Sequence, residues 1–86
     1  MDEDRSHVVD PTRPAYVYAQ VADDIAQQIV SGRLAPGAML PAERDLAAQY
    51  GVAYLTARRA VRELRERGLV VTLPAKGTYV VERTTE

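Results

Sequence analysis

The sequence predicts a mainly α domain, three helices closed by a small β-hairpin. Three observations carry that prediction. Apolar residues recur at helical spacing in three separate stretches, glycines punctuate the chain between them, and past Gly68 the pattern changes to short β-branched runs. Eighty-six residues make one such domain, near the size at which a single hydrophobic core is just sufficient. The chain has no Cys, Trp or Phe, so its core must come from Leu, Val, Ile and Ala with help from five tyrosines.

Residues 1–14 are acidic, polar and broken by Pro11 and Pro14, the composition of a flexible tail. The folded domain is expected over 15–82, with residues 83–86 a disordered C-terminus. From about Tyr16 to Ser31, Val17, Val21, Ile25 and Ile29 mark one helical face, with Tyr18 and Ala22 on an adjoining row. Gly32 is well placed to end that helix. Pro36-Gly37 then fits a type II turn, flanked by Leu34 and Leu40. Gly32 and Gly37 also have the spacing of a phosphate-binding loop, but Ala38 and Met39 follow where that loop needs Lys and Ser or Thr.

The second helix begins near Glu43 and buries Leu46, Ala47 and Tyr50. Gly51 ends it and Val52 enters the turn. A third helix, roughly Tyr54 to Arg67, turns Ala57, Ala60, Val61 and Leu64 inward. Small residue, glycine and apolar turn residue at these spacings are those of a helix-turn-helix. On the outer face of the third helix Tyr54, Arg58, Arg62 and Arg65 form one stripe, with Arg59 pointing most directly away from the core. Glu63 is in reach of Arg67 and Arg59, and Glu66 of Arg62, which would make part of the stripe a solvated ion-pair face. Arg58 has no acid three or four residues away on either side. Its charge is therefore available to an outside anion.

Leu69–Leu73 and Thr78–Val81 read as two strands around the four-residue loop Pro-Ala-Lys-Gly. Lys76 sits at the exposed tip and Gly77 lets the backbone turn. After a helix-turn-helix, a basic hairpin tip reads as a second phosphate contact or a minor-groove probe. The overall charge of −1 conceals an uneven distribution. Residues 1–24 hold six acids against two arginines, a net −4, and residues 54–83 hold seven bases against three acids, a net +4. Phosphate attraction follows the local patch.

Together these blocks, YAQVADDIAQQIVSGRLAPGAMLPAERDLAAQYGV, TARRAV, Gly68-Leu-Val and KGTYV, resemble the N-terminal winged helix-turn-helix domain of the GntR family of bacterial transcription regulators. The resemblance covers about Tyr18 to Val81. It implies sequence-specific binding of double-stranded DNA by a transcription repressor, as a homodimer on a palindromic operator. Residue by residue, Arg44 matches the arginine after the LPxE tetrad, Thr56 and Arg58 the recognition-helix Thr and first Arg, and Lys76 with Gly77 the wing. Arg58 would read a guanine, with Arg44, Thr56 and Lys76 positioning the backbone. Tyr54, Arg59 and Arg62 share the face without a specific role. Three positions depart from the family: Ala53 replaces a usual Ser or Thr cap, Tyr54 a frequent Arg, and Ala75 a common Gly in the wing. The chain stops where the family's regulators normally carry a C-terminal effector domain; either a natural single-domain relative, the preferred reading, or a truncated chain would look like this, and no small-molecule effector site is identifiable in it.

An enzyme is not expected. One histidine, His7, in the N-terminal stretch, no cysteine and no convergent carboxylates leave nothing from which to draw a nucleophile–base pair or metal site, and no cofactor is implied. No apolar run reaches membrane-span length, so the expected location is the cytoplasm, at the nucleoid. The competing reading is a winged helix used as a protein–protein module or as an accessory to a full-length regulator.

Overall fold

The computed structural model describes residues 4–82. Helix α1 runs Val17–Val30, α2 Glu43–Tyr50 and α3 Tyr54–Glu66, followed by β1, Val70–Leu73, and β2, Gly77–Val80. Every helix and strand expected from the sequence is present, with ends moved by a residue or two. The core gathers Val21, Ala22 and Ile25 of α1, Leu46, Ala47 and Tyr50 of α2, and Ala57, Ala60, Val61 and Leu64 of α3. Leu40, Val70 and Val80 close it from the side of the hairpin. Alanines at the inner positions of α3 let the other helices approach its backbone.

Gly51 makes the corner between α2 and α3. Its φ of +65° is left-handed, a conformation that costs an L side chain about 1–2 kcal/mol. An added Cβ there would also meet Ser6 Cβ at 3.1 Å.

The hairpin is antiparallel, pairing Val70 with Val80 and Leu73 with Gly77. Its loop is therefore three residues long, one fewer than the sequence suggested. The Lys76 amide donates to Leu73 O at 3.0 Å, and Ala75 takes φ +66°. Pro74 and Ala75 thus occupy the two central positions of a turn whose third residue requires positive φ, which explains why glycine is the common residue there. The outer edge of β2 is not bare. Val80 N donates to Ala38 O at 2.8 Å and Leu40 N to Thr78 O at 2.8 Å, so the stretch before α2 forms a third rung on the sheet.

The N-terminal stretch departs from expectation. Residues 4–14, expected as a flexible tail, fold back along α1 and α2 through a short 3₁₀ turn at Ser6–Val8. Val8 and Val9 pack against the core, the apolar pair in an otherwise polar segment. The Arg5 amide donates to Gln49 O at 2.7 Å. Its guanidinium donates to Asp24 through Nε at 2.6 Å and Nη2 at 3.0 Å. The same carboxylate accepts the Tyr50 hydroxyl at 2.5 Å and Gln28 Nε2 at 3.1 Å. Burial works against the Asp24 charge, but the hydrogen bonds from Arg5, Tyr50 and Gln28 outweigh it and hold the carboxyl below its ordinary range. Burial, and then the Asp24 carboxylate, raise the Tyr50 phenol above its usual value.

Gln20 adds a second tie. Buried on α1, it accepts from the Asp10 amide and donates to Asp10 O and Ala15 O, three bonds at 2.9, 2.9 and 3.0 Å. The Met1–Glu3 part of the expected tail and the disordered C-terminus expected over 83–86 lie outside the described residues.

Candidate nucleic-acid interface

Two surface grooves, which share helix α3, together hold most of the residues singled out in the sequence. The first, about 390 Å³, lies between the start of α2, the start of α3 and the wing, and is lined by Arg44, Tyr54, Lys76 and Gly77 among others. The second, about 340 Å³, follows the outer face of α3 and is lined by Leu55, Arg58, Arg59, Arg62 and Arg65. Ala53 and Thr56 line neither groove; Ala53 precedes α3 and Thr56 is half-buried in its first turn.

Tyr54 is the first residue of α3 and 40% exposed. The Arg44 guanidinium lies over its ring at 5.4 Å, and its hydroxyl donates to Glu43 at 3.3 Å. A tyrosine in place of a frequent arginine therefore supplies a surface against which Arg44 is ordered. Ala53, with φ −67° and ψ 153°, has cap geometry but no side-chain oxygen to bond the first amides of α3. Gly77 has φ +144°, a backbone conformation that residues with a side chain rarely adopt, and a Cβ there would sit 3.1 Å from Met39 Sδ, so glycine keeps the wing close to the segment before α2.

The arginines of α3 and of its C-cap, Arg67, divide by partner. Arg67 is bound at both ends, to Asp23 at 2.8 Å and Glu63 at 3.0 Å, and these hydrogen bonds, Asp23 first, raise its pKa further. It belongs to the scaffold, as the sequence suggested. Among the described residues Arg62 has only the exposed Glu66 at 3.6 Å. Arg65 donates to Thr72 Oγ1 at 2.9 Å, which is itself 2.8 Å from Thr78 Oγ1, and so ties the helix to the hairpin. Arg59 does not pair with Glu63; it folds toward α1 and lies over the Tyr18 ring at 4.3 Å. Among the described residues the Arg58 side chain makes no hydrogen bond or ion pair, and neither does the Lys76 side chain.

Sequence reasoning passed over Tyr18 as a member of an apolar row, and Thr72 as an ordinary strand residue. The only signal for the first was an aromatic ring at the start of a helix that packs on α3. Nothing in the local sequence distinguished it from a core tyrosine.

The sequence profile of the family described as "Bacterial regulatory proteins, gntR family" matches residues 17–80, from the first residue of α1 to the last of β2. The chain belongs to the GntR family. Among its relatives, the mannosyl-D-glycerate transport/metabolism system repressor MngR of Escherichia coli K12 is 42% identical over 66 residues, which are 77% of this chain and 28% of that protein. The transcriptional repressor NagR of Bacillus subtilis is 37% identical over 67 residues, 78% of this chain and 28% of that protein. The chain thus matches less than a third of the length of these curated relatives.

Solved structures agree on the architecture. YtrA from Sulfolobus acidocaldarius, a GntR-family transcription factor, superposes with a TM-score of 0.78 at 36% identity, covering 91% of this chain and 66% of that one. The AraR DNA-binding domain in complex with operator ORX1 gives 0.73 at 32% identity, covering 85% of this chain and 94% of that one. The fold of this GntR-family chain is accordingly a winged helix-turn-helix, with α2 and α3 as the helical pair and β1–β2 as the wing. It belongs to a family of regulatory proteins and not of enzymes. Among the described residues no helix is long and apolar enough to cross a membrane.

Proposed function

We propose that this chain is the sequence-reading domain of a transcription repressor. Helix α3 enters the major groove of double-stranded DNA and the wing meets the backbone or minor groove. The observation that carries the reading is Arg58: a guanidinium without an intramolecular partner, in a groove of arginines on the outer face of the second helix of a helix-turn-helix. A bidentate pair with guanine O6 and N7 uses it fully. Arg44, ordered on Tyr54, and Lys76 at the wing tip lie along the groove between α2, α3 and the wing and bind phosphates. Thr56, in the first turn of α3, and the uncapped amides beside Ala53 add backbone contacts. The AraR domain bound to its operators supports this reading, as do relatives named as repressors. By the same analogy the operator is a palindrome bound by two copies of the chain, in the cytoplasm at the nucleoid.

Selection of bound sequences from random DNA gives the operator and its symmetry. The mass of the complex on the winning site gives the number of copies. Arg58→Ala is expected to lose about 1–3 kcal/mol of discrimination at one base position of that site. An equal loss of affinity on every sequence would remove base reading from Arg58. No retardation of any duplex at low salt, with a protein partner retrieved instead, would replace the proposal by the protein–protein alternative.

A further inference from the structure

The start of α1 carries an arrangement that neither the core nor the helix-turn-helix requires. Arg59 lies 4.3 Å over the Tyr18 ring and donates from Nη2 to the Tyr18 hydroxyl at 3.2 Å. Tyr18 in turn stacks on Tyr16, with ring centroids 5.7 Å apart and planes 19° from parallel. Tyr16 is 76% exposed. We infer that this aromatic cluster presents Arg59 as a fixed clamp for a backbone phosphate of DNA, so that the start of α1 belongs to the DNA-contacting surface. The inference rests on the reading of the chain as a DNA-binding domain.

Three features point this way. A carboxylate was within reach and is not used: Glu63, one turn along α3, pairs with Arg67, which also holds Asp23. Arg59 is held on a neutral ring, which fixes its direction and leaves its charge uncompensated. Secondly, Tyr18 packs against the edge of the core, but an exposed cation–π pair contributes little to stability, so scaffolding alone accounts poorly for the placing of the exposed Arg59 on its ring. Thirdly, the arrangement leaves donors available. The guanidinium has five N–H groups and spends one on Tyr18. The phenol oxygen accepts that bond, which keeps its own hydrogen free to donate to the same anion. Arg58 and Arg62 lie along the same groove, and clustered like charges on one helix face favour an anion among them. The salient anion for a DNA-binding surface is the phosphate flanking the bases that α3 reads.

The test uses the whole chain, the selected operator duplex and a scrambled duplex of equal length, titrated across a range of KCl. Arg59→Ala is expected to lower affinity by the same factor on both duplexes. It should also reduce the slope of log affinity against log salt by about 0.9, the loss of one phosphate contact. Tyr18→Leu should reproduce part of that change and add nothing in the Arg59→Ala background, and Tyr18→Phe, which keeps the stack, should retain the wild-type slope. Arg58→Ala serves as the reference for base reading.

An Arg59→Ala slope equal to wild type, with Arg58→Ala still impaired, overturns the clamp and leaves the DNA reading intact. A change in base preference on Arg59→Ala overturns it as well, since a phosphate clamp is blind to sequence. If Tyr18→Leu, shown folded by its melt, keeps the wild-type slope, the positioning role of the stack is refuted. Arg59 is an exposed residue whose truncation removes no core packing, so its slope remains decisive even where Tyr18→Leu fails to fold.

Discussion

Replacing Arg5 by Met would test whether the N-terminal segment is part of the folded domain. The Arg5 and Asp24 side chains are only 13% and 15% exposed, and their bond is 2.6 Å long. A fully exposed pair contributes about 0–1 kcal/mol, whereas breaking a fully buried one costs about 3–5 kcal/mol. Asp24 keeps the Tyr50 hydroxyl and Gln28 after the substitution, which limits the damage. The expected loss is therefore about 2 kcal/mol. At roughly 4–8 °C per kcal/mol for a domain of this size, the thermal midpoint falls by about 8–16 °C.

Far-ultraviolet circular dichroism followed through a melt measures it, and pH supplies a second reading. The folded Asp24 carboxyl lies below its unfolded value of about 3.9, so the stability it contributes is present above that pH. It is lost as pH falls through the folded value. The gap between wild type and Arg5→Met should accordingly be constant above about pH 4 and narrow below it. A variant that melts with the wild type at neutral pH would refute the docking of the segment.

Two further substitutions follow from the backbone. Ala53→Ser places a hydroxyl at a position that already has cap geometry, and should stabilise the domain by about 1 kcal/mol, read as a raised denaturation midpoint. Gly51→Ala should lose about 1 kcal/mol or more by the same measurement, from left-handed backbone and the approach to Ser6; an unchanged midpoint would show that the corner relaxes freely.

The helices were legible because each buries a face with simple periodicity, as with Leu46, Ala47 and Tyr50, or Ala57, Ala60, Val61 and Leu64. Arg58 was legible for a different reason: no acid lies within a turn of it, and that is a property of the sequence alone. What remained hidden depended on partners distant in the chain. Asp24 and Gln28 sit on the polar side of α1 and read as solvent-facing until Arg5 and Tyr50 arrive from elsewhere. Arg59 had a carboxylate one turn away and a tyrosine 41 residues away, and it takes the tyrosine. Local spacing could not rank those two, because Glu63 is claimed first by Arg67, whose other partner Asp23 lies on a different helix. The missing loop residue in the wing has a similar origin, since Gly77 is recruited into β2 opposite Leu73.

The rung that joins Ala38–Leu40 to β2 gives the two walls of the first groove a common chassis. Arg44 follows that rung by four residues, as the second residue of α2, and Lys76 precedes its partner strand by one residue. A protein mounted this way behaves as a caliper of nearly fixed opening. A duplex whose grooves already match the opening is gripped without distortion, and one that does not must be bent or twisted to fit. The energy of that deformation depends on base steps the protein never touches. Rigidity between the wing and the helices would thus extend the sequence preference beyond the reach of any side chain.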